Sequence, residues 1–342
     1  MDRKMAYVVA VDGVNPIAGA DAIEAALVGG WTVVMKKGEF AAGDLAIYFE
    51  IDAFLPEGNP GWQFLVDKSP RQVDGRRGHV LRTVRLRGQV SQGLLLAPAQ
   101  VGLSTGPLGP GMDVTERLGV SKYEPPVPAG MSGVARGPFP GCVRRTDQER
   151  IQNLAAELAA WQTEGGLWEV TEKLEGASCT FAWLDGEVHV CSRNLDLEAA
   201  PGNLLWRQAA ALDIAAKLAE RFGSRRVALQ GELIGQGVQG NIYRRSTQEF
   251  LLYDIYDADR GMYFPPAERL AVAAALQIPH VPVIDAAFTL TADATMAALL
   301  ALADGPSALL PAQAREGLVF KRLDGAASFK AVSNQYLLKS PA

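Results

Sequence analysis

The run A-S-C-T-F-A-W-L-D-G-E-V-H-V-C-S-R-N, from Ala177 to Asn194, leaves the chain little choice. Two strand-forming segments flank Asp185-Gly186, a dipeptide suited to a tight hairpin turn, so they pair as antiparallel strands. With a two-residue loop, facing positions sum to about 371, which puts Ser178 near Arg193. Just upstream, W-E-V-T-E-K-L-E-G alternates Trp168, Val170 and Leu174 with Glu169, Thr171 and Lys173. That period of two predicts a strand ending at Gly176, with Lys173 pointing away from its apolar side. A lysine so placed is a candidate nucleophile. Lys173, Glu175, Gly176 and Arg193 are therefore expected to converge.

A chain of 342 residues favours two domains over one core. Nearly half of it is hydrophobic, as in a soluble globular protein, and the net charge of -5 excludes a wholly basic surface. Any nucleic-acid site is then local. Cys142, Cys179 and Cys191 are odd in number and lack metal-ligand spacing. The opening M-D-R-K-M-A-Y-V-V-A has no signal-peptide core, and no run is long enough to span a bilayer. A reducing cytoplasm and no membrane contact are expected.

From Tyr7 to about Gly119 the apolar segments are short and strand-like, broken by Gly, Asp and Pro, with one helical patch at Asp21 to Val28. This pattern predicts a small β-barrel of OB-fold type over residues 1–122. Between Asp67 and Arg87 lie Lys68, Arg71, Arg76, Arg77, Arg82, Arg85 and Arg87 against only Asp67 and Asp74. Arg85 and Arg87 alternate with Leu86 and are expected on one face, either as a phosphate dock or as a solvated arginine surface. Residues 123–140 are rich in Pro and Gly and read as a linker. In the remainder, 141–342, Thr146 or Asp147 is expected to cap a helix through Gln162. Asn203 precedes a second helix ending at Gly223, Pro265-Pro266 open a third, and a fourth covers about Ala292 to Ala303. Glu232 and Asp254 sit in apolar strands and require partners. The end of the chain reads as a hairpin that puts Lys321 and Lys330 on one face. Glu316 points the other way in that register, so either the strand bulges or Glu316 acts from its first residue.

Several motifs fail on context. Gly235, Gly237 and Gly240 spell G-x-G-x-x-G but lead into N-I-Y-R-R-S-T and a strand, not the helix that a dinucleotide fold needs. Gly102, Ser104 and Gly106 match a nucleophile elbow, yet Pro107, Gly109, Pro110 and Gly111 forbid its helix. His79, His189 and His280 are isolated, and no P-loop exists.

What remains is K-L-E-G at Lys173 to Gly176, followed by Ser192-Arg193-Asn194, Gly231-Glu232-Leu233, Tyr253-Asp254-Ile255, Glu316 to Lys321 and Phe329-Lys330. Their order and spacing resemble the motifs of covalent nucleotidyltransferases, and most closely those of ATP-dependent RNA ligases. With G-D-L-A-I-Y-F-E-I-D-A-F-L-P at Gly43 to Pro56, the chain looks like the Deinococcus-type nick-sealing RNA ligases. The resemblance implies an α+β protein, an OB-fold-like barrel followed by an adenylyltransferase domain of antiparallel sheets with flanking helices.

The resemblance further implies that Lys173 attacks the α-phosphate of ATP and carries AMP, while Lys321 and Lys330 stabilise charge on that phosphate. Glu175 and Gly176 would line the nucleotide site, and Tyr253 would stack on adenine. Arg193 would contact the nucleotide or the hydroxyl-bearing strand, and Glu232 the ribose or a metal. Asp254 and Glu316 complete the expected ligands of Mg²⁺ or Mn²⁺. Arg82, Arg85, Arg87, Ser178, Arg193 and Asn194 are expected on nicked duplex nucleic acid, bound by a monomer. Two positions depart from the pattern. Val332 stands where many RNA ligases have a lysine, with Lys339 a candidate substitute, and Ser178 stands where some have Asn. DNA ligases and capping enzymes carry an OB domain after the core, for which the chain past Lys330 leaves no room. The rival from another class is a non-catalytic OB-fold nucleic-acid binder with a degenerate second domain.

Overall fold

The computed structural model describes residues 3–103, 106–125 and 130–339, so Ser104 of the elbow-like motif and part of the 123–140 stretch lie outside the described residues. The chain divides into two compact units. One takes the chain up to Pro125 with Gln152–Ala155 and the tail from Leu337, and the other takes Pro126–Ile151 and Ala156–Tyr336.

The first unit is built of short antiparallel strands. Leu45–Phe49 is the centre of a three-stranded sheet, between Ala6–Ala10 and Leu94–Leu96. Gly13–Pro16, Ile23–Val28 and Trp31–Lys36 form a meander beside it. Buried side chains gather in two apolar clusters, one around Phe49 and Trp62, the other around Trp31 and Tyr48. The helical patch expected at Asp21 to Val28 is instead the strand Ile23–Val28. Eight residues are too few for periodicity to separate helix from strand, and Gly29-Gly30 closes a hairpin in which Val28 pairs with Trp31.

The second unit holds two sheets. A seven-stranded sheet runs in the order Ala135–Pro138, Leu195–Leu197, Glu187–Cys191, Ala177–Leu184, Val227–Gly235, Gln248–Asp257, Met262–Tyr263. A five-stranded sheet runs Glu149–Arg150, Ser328–Val332, Gly317–Arg322, Leu167–Lys173, Val283–Thr289. The hairpin at Asp185-Gly186 has the expected register, with Thr180 opposite Cys191. Ala135–Pro138 gives the Pro/Gly-rich stretch one short edge strand, where a proline is tolerated.

Helices differ from expectation at two places. No helix starts at Thr146 or Asp147: Glu149–Arg150 adds to the edge of a sheet beside Phe329 and Lys330, and the helix spans only Ala155–Glu164. The helix after Asn203 is two, Leu204–Ala211 and Ile214–Phe222, parted by Asp213 in the left-handed region at φ 52°. Asn203 caps the first, its side-chain oxygen accepting from the N–H groups of Leu205 and Trp206.

Strand alternation sorts the five-stranded sheet into two faces. Trp168, Phe320 and Phe329 pack on one, with Phe320 and Phe329 stacked at 4.5 Å. Glu169, Thr171, Lys173, Lys321 and Lys330 lie on the other, because Glu169 pairs with Lys321, Thr171 with Val319, and Val319 with Lys330. Glu169 and Thr171 are buried as fully as the apolar side, so this polar face is an interior surface lined with charge.

Candidate active site

Lys173 ends its strand, and Leu174 to Gly176 carry the chain across to the strand Ala177–Leu184 of the other sheet. The crossing is tight. A Cβ on Gly176 would lie 2.4 Å from the carbonyl of Leu233, so only glycine lets the turn press against the Glu232 strand. Ser178 then pairs with Glu232. The lysine turn and Glu232 are thereby brought together from strands far apart in sequence.

Lys173 Nζ donates to Glu316 Oε1 at 2.6 Å. Gly317–Arg322 pairs with both its neighbours without a register shift, and Glu316 stands immediately before it. Of the two options for Glu316, the bulge is absent and the strand's start supplies the side chain. Desolvation pushes the Glu232 carboxyl up to about 8, raised further by Glu316 and Glu175 and opposed by Lys173 and Arg193. Burial likewise raises Glu175, whose Oε1 accepts from the Gly240 N–H at 2.8 Å and whose Oε2 is buried without a partner. Three carboxylates and a lysine share one partly desolvated space.

A bulge supplies the next group. Gln230 pairs with Asp254 but Gly231 with Leu252, which leaves Tyr253 as the extra residue and re-aims it. Its hydroxyl is 2.9 Å from Thr146 Oγ1, and Lys321 Nζ sits 5.5 Å from its ring centroid. Lys321 Nζ also donates to the Tyr253 carbonyl at 3.0 Å and reaches Asp254 Oδ1 at 2.7 Å. Burial holds the Lys321 pKa below the ordinary lysine value, against the pull of Asp254. Asp254 faces a second cation, Arg269, at 3.7 Å, and Arg269 is bonded to Glu169 at 2.5 Å. Arg269 Nε donates to His280 Nε2 at 3.0 Å, and burial with that cation pushes His280 down to about 4. Asp254 and Glu169, buried at 4% and 1% exposure, thus have the partners they require.

The other expected residues fall as follows. Lys330 leaves the same face as Lys321. Arg193 lies just past the hairpin strand and pairs with Asp147 at 2.8 Å, and Asn194 Oδ1 accepts from Arg145 at 3.4 Å. Val332 is buried at 3%, while Lys339 belongs to the first unit. Arg82, Arg85 and Arg87 also belong to the first unit. The alternation of Arg85 and Arg87 stops short: Thr83–Leu86 ends before Arg87, which turns the hairpin at φ 48°. A turn tip breaks the period of two, so the pair is not one strand face. Thr146, Glu169, Tyr243 and Arg269 have no motif that marks them as parts of a site. Arg269 shares the buried stripe of its helix with Val272, Ala273 and Leu276, but an arginine there gives no sequence sign of burial.

Among the described residues no group of three or more His, Cys, Asp or Glu stands at metal-ligand spacing. Glu232 and Glu316, both facing Lys173, are the two carboxylates that could hold a divalent ion whose other ligands are water and phosphate oxygens.

A family described as RNA ligase matches residues 166–332, and one described as an OB-fold domain matches residues 5–98. No curated protein matches the chain. Among solved structures the chain is 44% identical to Naegleria gruberi RNA ligase. A lysine-to-alanine mutant of that protein, with ATP and Mn, aligns over 98% of this chain and 99% of its own at a TM-score of 0.91. A glutamate-to-alanine mutant with AMP and Mn aligns over 99% of both at 0.91. The ligase with PPi aligns over 98% of both at 0.90. With 44% identity over essentially the whole length of both chains, this protein belongs to the RNA ligase family and carries an OB-fold domain ahead of its ligase domain.

Proposed function

We propose that the protein is a cytoplasmic, monomeric, ATP-dependent RNA ligase of the Deinococcus type that seals 3′-OH/5′-phosphate nicks in duplexes, preferring RNA on the 3′-OH strand. The observation that carries this reading is the pairing of Lys173 with Glu316 at 2.6 Å, beside Glu232 and Glu175. A lone exposed lysine carries no sign of chemistry, but a partly buried one set among Glu316, Glu232 and Glu175 does.

In this reading Lys173 Nζ, having released its proton to solvent, attacks the α-phosphorus of ATP. An N–P bond forms, the bond to the bridging oxygen breaks, and pyrophosphate leaves with the electron pair. Lys321 and Lys330, on one face, stabilise the charge that grows on the phosphate oxygens. Lys321 is held for this by Asp254 and the Tyr253 carbonyl. Glu232 and Glu316 would hold Mg²⁺ or Mn²⁺, and such an ion, when bound, would supply positive charge to screen the phosphates. The Naegleria relative with ATP and Mn supports this choice of cofactors. Asp254 already faces Lys321 and Arg269, which fits an anchor for Lys321 better than a metal ligand. AMP then passes to the 5′-phosphate of the nick, and the 3′-hydroxyl displaces it. Tyr253 is the candidate for stacking on adenine, Arg193, Ser178 and Asn194 for the strand at the nick, and Arg82, Arg85 and Arg87 for flanking phosphates. We place the OB domain at 1–122 and the ligase domain at 141–342. No described helix is long and apolar enough to cross a membrane.

Sealing of a nicked duplex whose 3′ nucleotide is ribose or deoxyribose, with ATP and Mg²⁺ or Mn²⁺, tests this reading. Faster sealing of the ribose nick supports it, and equal rates contradict the strand preference.

A further inference from the structure

The glycine run Gly235, Gly237 and Gly240 leads into a strand rather than a helix, and its loop closes on the lysine turn. The loop leaves the Glu232 strand at Gly235 and rejoins the sheet at Gln248. Within it the Gly240 N–H donates to Glu175 Oε1 at 2.8 Å, and the Tyr243 hydroxyl accepts the Glu175 backbone N–H at 2.8 Å. Glu175, two residues after Lys173, is thus held at its main chain and its side chain by one loop.

The grip is built rather than incidental. Tyr243 is 3% exposed and packs with Leu174, Ile234, Leu251 and Val281, so its hydroxyl is placed by a buried ring. Burial raises the phenol well above its usual range, which keeps it neutral. A Cβ on Gly240 would stand 2.9 Å from Glu175 Oε1. Gly235, at φ 115°, would meet the Thr247 carbonyl at 2.1 Å with any side chain, so only glycine lets the loop close.

We propose that Tyr243 and Gly240 are positioning residues for lysine adenylylation: they lock the turn from Lys173 to Gly176, so that the amine and the partnerless Glu175 oxygen face the nucleotide together. This rests on the reading of Lys173 as the nucleophile. Neither residue touches the reacting atoms. Their contribution is geometric, and misplacement of a reacting group by an ångström is enough to cost about 100-fold in rate.

The test is single-turnover transfer of label from α-labelled ATP to the full-length protein, with Mn²⁺, in wild type, Tyr243→Phe, Gly240→Ala and Lys173→Ala, with thermal unfolding of each. Tyr243→Phe removes one oxygen and keeps the ring. It is expected to lower the maximal labelling rate about 10- to 100-fold with less than about a threefold change in the ATP concentration for half-maximal rate. Gly240→Ala is expected to do the same by pushing on Glu175. Wild-type labelling rates in Tyr243→Phe would overturn the proposal, as would a defect confined to ATP affinity. Where Tyr243→Phe unfolds at the assay temperature, the same comparison below its unfolding midpoint decides. Failure of the underlying reading looks different: wild type takes no label, or Lys173→Ala takes as much.

Discussion

Lys173 and Glu316 are joined by a 2.6 Å ion pair between the last residue of one strand and the residue just ahead of its neighbour. Glu316→Gln keeps the shape and removes the charge that pairs with the amine. Because the pair is partly exposed, folding stability is expected to change by no more than about 1 kcal/mol. Lysine adenylylation, in contrast, is expected to fall at least about 100-fold, with a weaker response to added Mn²⁺. Labelling rates against metal concentration, beside urea unfolding, check both. An unchanged metal response would remove Glu316 from the metal site.

Arg269 is the cation of a buried cluster, 1% exposed, bonded to Glu169 and within reach of Asp254. Arg269→Met strands Glu169, while Asp254 keeps its pairing with Lys321. Breaking a buried pair costs about 3–5 kcal/mol, and the cost should shrink when Glu169→Gln is added, because one uncompensated charge is gone. Denaturant unfolding of the two single variants and the double variant measures the coupling.

His280 makes part of the stability pH-dependent. Its folded pKa, about 4, lies below the ordinary value of 6.5, held down first by burial and then by Arg269. Since the folded state resists protonation, its contribution is fully present above the unfolded pKa and is lost as the pH falls from 6.5 towards 4. The loss is at most on the order of 3 kcal/mol. Unfolding midpoints at several pH values should drop across that window in wild type and drop less in a His280→Gln variant that keeps an acceptor for Arg269. Equal slopes would assign the acid loss to other groups.

Arg85 is exposed on its strand and Arg87 on the turn beyond it. Replacing both with alanine is expected to weaken nucleic-acid binding and to reduce the salt slope by about one for each phosphate that an arginine no longer neutralises. Labelling of Lys173 by ATP should be unaffected. Affinity for nicked duplex at several salt concentrations measures this, and an unchanged slope makes these arginines a solvated surface.

Much of the site was legible because it depends on local patterns. The Asp185-Gly186 turn set the hairpin register, and alternation placed Lys321 with Lys330 and turned Lys173 off the aromatic face. The misreadings share a cause. The segments at Asp21 to Val28 and Thr146 to Gln162 were each decided by strand pairing that helical periodicity does not show, with Trp31–Lys36 across Gly29-Gly30 in one case and with the sheet edge beside Phe329 in the other. Arg269 and Tyr243 left no trace for a related reason. Their importance comes from what packs on them, Glu169 in one case and the Glu175 N–H in the other, and neither pairing is local in sequence.

The most direct measurement concerns Lys173 itself. Protein incubated with α-labelled ATP and Mg²⁺ or Mn²⁺, then denatured and digested, should carry one AMP on the peptide containing Lys173. Lys173→Ala should carry none, and the label should leave wild type when pyrophosphate or a nicked 5′-phosphate duplex is added. Label on another residue, or none in wild type with either metal, would contradict the account.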